Sequence, residues 1–273
     1  MNYETVDYGG KLFCTGNLQP AIKTTFAPEF KPRMSKREIE DAIRSQMTTT
    51  QIERELYPSE TYVKNQGQVG SCNAYAAKGA LERTRCFTGQ PYMELSAEHL
   101  YMRICGGADR GSMLDDGMHE MTRGGIPPMK PSHYQKFRER DFKPEDNRDA
   151  LRFRSHECYA VNTELGLAEG LVSGFIGVIA VHATNQYMRM NSQEIIARSL
   201  GNGNHAEGVH KVSIINGMLA FRKFGSWGLN VWNGGCGYIT WEDHLKQPNK
   251  YHQYYLIRGA SDDTQDNVPE LKQ

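Results

Sequence analysis

A change of hydrophobic pattern near residue 158 constrains the fold more than any other feature of this chain. Upstream, apolar residues recur at helical spacing; downstream they gather in short runs of β-branched and aromatic residues punctuated by Gly or Asn. Ser35 with Glu38 three residues later has the form of a capping box, and Ile39 and Ile43 make an i, i+4 pair, so one short helix is expected there. Further helices are predicted from about Ser71 to Cys86, from Ser96 onward, and from about Ser112 to Arg123, where Gly124-Gly125 stops the last. Strands are predicted at Gly177 to Ala183, Lys211 to Ile215, Met218 to Phe224, Gly237 to Trp241 and Tyr254 to Arg258. Helices first and antiparallel strands later is an α+β layout, with two lobes meeting in a cleft.

Charge and length exclude several classes of partner. Lys plus Arg and Asp plus Glu both number 32 among 273 residues, and no polybasic block argues for nucleic acid. The longest nearly apolar stretch, Gly174 to Ala183, is far below the roughly 18–20 residues of a membrane span, so a soluble protein is expected. The first thirty residues lack the basic and apolar regions of a secretory signal. None of the six cysteines has the CxxC or Cys/His spacing of a zinc site, and they read as reduced thiols of a cytoplasmic compartment. Neither metal nor organic cofactor is implied.

The chemistry is concentrated in Val63 to Ala77, VKNQGQVGSCNAYAA, a polar Gly-rich loop feeding a helix. Cys72 falls in the opening turn of that helix, where free backbone N–H groups and the macrodipole favour a negative sulfur, the more nucleophilic form. Gln66, six residues earlier, offers a side-chain amide able to donate to a developing oxyanion.

This block resembles the papain-like cysteine proteases, whose NQGxCGSCWAF signature is matched here by NQGQVGSCNAY. Three further blocks agree in order: LSAEHLY at Leu95 to Tyr101, RGSMLDDGMHEMTRGGI at Arg110 to Ile126, and GSWG at 225–228 followed by GGCGYI at 234–239. The resemblance spans about residues 58 to 258. It implies a two-lobed fold, with a helical lobe over about 58–130 carrying the nucleophile and an antiparallel β-barrel-like lobe over about 158–258. Residues 1–57 then form a peripheral leader and 259–273 a polar tail. The leader is shorter than the inhibitory pro-regions of secreted relatives, so loss of a large prodomain is not the expected activation step, although a smaller part could still occupy the cleft.

By the same resemblance Cys72 is the nucleophile, Gln66 the oxyanion donor, Gly111 and Ser112 the turn that pairs with substrate backbone, and Trp227 the shield of the base. The family's histidine lies roughly 130–150 residues beyond the nucleophile, and both His205 and His210 qualify. His210 opens the apolar run KVSII and is favoured; His205, in Asn204-His205-Ala206, is the alternative, because Glu207-Gly208 is expected to interrupt a strand there.

The departures from the family are equally specific. Gly225 stands where it has the Asn that orients the imidazole, leaving Asn230 or Asn233 as candidates to reach over; Asn73 replaces a Trp beside the sulfur; Val69 removes one disulfide cysteine. The reading is a cysteine peptidase acting on protein or peptide substrates. The alternative is a papain-fold structural or binding protein with reduced activity, such as a bacteriophage virion component assembling with virion or host proteins.

Overall fold

The computed structural model describes residues 4–18, 26–46, 63–246 and 254–262. Its helices are α1 (Lys36–Ser45), α2 (Cys72–Phe87), α3 (Ala97–Cys105), α4 (Leu114–Arg123), α5 (Pro144–Ala150) and α6 (Glu164–Val172). Its strands are β1 (Thr5–Tyr8), β2 (Lys11–Cys14), β3 (Asn17–Leu18), β4 (Ser112–Met113), β5 (Phe153–Ala160), β6 (Ile176–Val181), β7 (His205–Ile215), β8 (Met218–Phe224), β9 (Cys236–Thr240) and β10 (Tyr254–Asp262). The α+β layout is as expected.

Six strands form one antiparallel sheet in the order β5-β10-β6-β7-β8-β9. It is buried on both faces, and the period-2 alternation of side chains divides its residues between two cores. Ile179, Val181, Val209, Tyr254 and Leu256 pack with Ile39 of α1 and Leu167 and Leu171 of α6. Val178, Ala180, Ala206, Tyr255 and Ile257 pack instead with α2, α3 and α4. Double-sided burial is why these strands read as continuous apolar runs.

The capping box at the start of α1 is present, with Ser35 accepting from the Glu38 N–H and Glu38 accepting from the Ser35 N–H. Likewise, Ser96 caps α3. Helix α2 is enclosed on all sides, and its small residues Ala74, Ala76, Ala77 and Ala80 allow close approach. Its polar residues are buried in pairs, Lys78 Nζ donating to Glu82 Oε1 at 2.8 Å and Arg83 lying over the Phe224 ring.

Two expectations about strands fail. Strand β7 begins at His205 rather than after Gly208, since Gly208 lies inside it with the Phe224 ring packed where a Cβ would project. Strand β10 runs on to Asp262, into the segment expected to be a loose tail. The remainder of that tail, 263–273, residues 1–3, 19–25 and 47–57 of the expected leader, and residues 58–62 and 247–253 lie outside the described residues. No helix among the described residues is long and apolar enough to cross a membrane.

Candidate active site

Cys72 is the first residue of α2 and fully buried, and the backbones of Ala206, Gly16 and Asn73 hydrogen-bond its sulfur. Ala206 is the second residue of β7, so the start of that strand meets the tip of α2. His205, immediately before it, is also fully buried and lies flat on Trp227, with ring centroids 4.0 Å apart and planes 22° from parallel. Among the described residues, neither ring nitrogen of His205 has a hydrogen-bond partner. His210 stands farther along β7, where the pairing with β8 shifts register between Val209 and Lys211, and its ring packs on Phe224 at 5.7 Å.

Gln66 is held from both ends. Its backbone N–H donates to the Ser226 carbonyl at 2.8 Å, and the Ser226 hydroxyl donates to its Oε1. That contact turns Nε2 toward the cleft, where it donates to the carbonyls of Val69 at 2.8 Å and Cys14 at 3.3 Å.

The cleft itself is filled by the chain's own residues 14–18. The Cys14 carbonyl accepts from Gln66 Nε2 and from Trp227 Nε1 at 3.2 Å. Gly16 and Asn17 both donate their N–H to the Asn204 carbonyl, at 3.2 and 2.9 Å, while Ser112 donates its N–H to the Gly16 carbonyl at 2.9 Å. Asn17 and Leu18 then pair in parallel with Ser112 and Met113. Two glycines make this approach possible: a Cβ on Gly16 would strike the Gly70 carbonyl, and one on Gly111, at φ +77°, would strike the Gly16 carbonyl.

Burial dominates the electrostatics of the site. Burial pushes the Cys72 thiol up to about 12, against the hydrogen bonds from Ala206, Gly16 and Asn73. Burial also drives His205 well below its ordinary value, with the Lys223 ammonium acting in the same direction. Both groups are neutral here, a thiol and an imidazole, rather than the thiolate that the helix tip alone favours.

Residues 53–244 match the family model described as papain family cysteine protease. The chain belongs to that family. Xylellain, a cysteine protease from Xylella fastidiosa, superposes with a TM-score of 0.68 at 22% identity, covering 89% of this chain and 95% of that one. The cysteine protease and lectin-like domains of Cwp84, a surface-layer-associated protein of Clostridium difficile, give 0.62 at 20% identity over 79% and 52%. Digestive procathepsin L 3 from the larval midgut of Tenebrio molitor gives 0.55 at 19% over 69% and 62%. At such identities these three show the shared fold. Among curated proteins none matches the chain.

The papain-family departures have structural consequences. Asn73 does not open the cleft wall but is buried, its Nδ2 donating to the carbonyl of Ser112 at 2.5 Å and to its hydroxyl at 3.0 Å, so it anchors the Gly111-Ser112 turn. Neither asparagine considered for reaching over does so: Asn233 donates to Glu194 at 2.6 Å and Asn230 is exposed. What the sequence reading missed is Glu207. Its carboxylate is buried between Lys223 Nζ at 2.8 Å and the Tyr187 hydroxyl at 2.5 Å, and its Oε1 lies 3.8 Å from His205 Nε2. A residue two places beyond a histidine on one strand shares its face, and that spacing was the available signal.

Proposed function

We propose that this chain is a cysteine peptidase that hydrolyses peptide bonds in protein or peptide substrates, with Cys72 as nucleophile and His205 as base, and that residues 14–18 hold it latent. The observation that supports the pair is the junction of β7 with α2, where the Ala206 backbone bonds the Cys72 sulfur and the preceding His205 ring is fixed against Trp227. His210 lies beyond the register shift, with its ring against Phe224.

With the strap displaced, water and substrate reach the cleft, the desolvation that keeps Cys72 protonated is relieved, and the helix tip favours the thiolate. The thiol proton passes to His205 and the thiolate attacks the substrate carbonyl carbon; Gln66 Nε2 and the Cys72 backbone N–H receive the oxyanion; His205 delivers that proton to the leaving amine and then takes one from the water that frees the acyl group and the Cys72 sulfur. The Gly111-Ser112 turn pairs with substrate backbone where Ser112 now pairs with Gly16. Within the strap, Gly16 gives its N–H to the Asn204 carbonyl and its carbonyl to Ser112.

Cys72→Ala and His205→Ala should each abolish release of fluorophore from a peptidyl substrate under conditions that displace the strap. Retention of turnover in Cys72→Ala would overturn the reading. A structural or binding role, in a virion or another assembly, is the second reading, favoured by the complete burial of Cys72 and its raised thiol. No turnover under any condition, with Cys72 inert to iodoacetamide, would select it.

A further inference from the structure

We propose that Glu207, held by Lys223 and Tyr187, is the positioning residue of His205 and takes over the work of the orienting side chain that Gly225 lacks. The inference rests on the peptidase reading for its purpose and on cross-strand geometry for its content.

Strand β7 places His205, Glu207 and Val209 on one face, and Val209 faces Lys223 directly across the ladder with β8. Continuing that register sets Gly225 opposite Glu207. A Cβ added at Gly225 would lie 3.1 Å from Glu207 Oε1 and 3.2 Å from the Trp232 ring, tighter than ordinary contact. The volume a side chain at 225 would use is therefore already taken by the Glu207 carboxylate, and the glycine and the glutamate explain each other.

An orienter must present an acceptor to one imidazole nitrogen so that the other is left bare. Glu207 Oε1 faces His205 Nε2 at 3.8 Å, and a shift of about 1 Å brings the two into hydrogen-bond range. It favours the tautomer protonated at Nε2, leaving Nδ1 to accept a proton. A lone buried carboxylate would be costly, but Lys223 Nζ at 2.8 Å cancels its charge, and the Tyr187 hydroxyl satisfies Oε2. Trp232 in turn covers the ammonium, its ring centroid 2.9 Å from Nζ. The pair thus offers an acceptor oxygen without net charge, as an amide does. Among the described residues, Glu207 from its own strand, Lys223 from β8 and Trp227 from the loop after β8 face the His205 ring.

The test uses the full chain with 15N-labelled histidine, the His205 signal being identified by its loss in His205→Gln. Wild type should show His205 mainly as the Nε2–H tautomer. Glu207→Ala with Lys223→Met, which leaves no orphan charge, should give mixed tautomers. Adding Gly225→Asn, for which that change makes room, should restore the Nε2–H form. With the strap displaced, the Ala/Met pair should lower kcat about 10-fold or more with KM unchanged. If that pair does not fold, Glu207→Asp, which keeps the charge but withdraws the oxygen by one methylene, is read by the same spectrum. Tautomers mixed already in wild type, or unchanged in the folded variant, would overturn the proposal. The spectrum needs no turnover, so a chain without peptidase activity sinks the proposed function and leaves this test standing.

Discussion

The backbone of Gly16 is hydrogen-bonded to the sulfur of Cys72. Burial around the sulfur outweighs this contact, which favours the thiolate, and makes the resting chemistry of the site the reverse of what the helix tip alone dictates. A macrodipole stabilises a negative group by roughly 0.3–1 kcal/mol at an exposed end. Moving a thiol from its ordinary range up to about 12 corresponds to about 4 kcal/mol, so desolvation by burial wins.

Displacing the strap should therefore activate the thiol. Gly16→Val puts a Cβ against the Gly70 carbonyl, a backbone group unable to yield as a flexible side chain would. Alkylation of Cys72 by iodoacetamide at pH 7.5, read by peptide mapping, should accelerate about 10-fold or more over wild type. An unchanged rate would mean that residues 14–18 are not what seals the sulfur.

Gln66→Ala should act with opposite signs on two readouts. Nε2 donates to the Cys14 carbonyl, so its removal loosens the strap and speeds alkylation of Cys72. In the proposed mechanism the same amide receives the oxyanion, and kcat measured in the Gly16→Val background should fall about 10²–10³-fold. Parallel changes in both quantities would refute the dual role.

The two histidines should separate cleanly. In the Gly16→Val background, His205→Ala is expected to lower kcat/KM by about 10²–10⁴-fold, the range for loss of a positioned base. His210→Ala empties a packed position against Phe224 and should cost about 1–3 kcal/mol of stability, read by urea unfolding, while sparing turnover. The reverse pattern would restore His210.

The sequence-to-structure record shows where pattern reading reaches and where it stops. Ser35, Ser96 and Gly124 bound their helices as local chemistry dictates, because a cap is satisfied within a few residues of itself. Strand β5 was missed because it is an edge strand carrying Arg154, His156 and Glu157, and α6 because it is enclosed and shows no polar face. The start of β7 was misplaced because the fitness of Gly208 depends on Phe224, which faces it only across the ladder with β8. The proposed nucleophile, Cys72, is legible in one contiguous block. The strap is not, since Cys14 meets Trp227 and Gly16 meets Asn204 across most of the chain, and no local rule encodes such pairings.

Buried neutral histidines should also make the fold acid-labile, with His244 the clearest case. Its Nδ1 accepts the Thr240 N–H at 3.2 Å and its Nε2–H donates to the Ala197 carbonyl at 3.2 Å, so the ring must be neutral to satisfy both. Burial lowers it to about 4, against an ordinary value of 6.5. Because the unfolded chain takes up the proton first as pH falls, the stabilisation is complete above about 6.5 and is lost progressively down to about 4. Over that window the loss amounts to about 3 kcal/mol for this one residue. His244→Gln, which does not titrate, should flatten the fall in urea-unfolding free energy between pH 7 and pH 4 by about that amount. An unchanged slope would show that the imidazole is protonated in the folded chain.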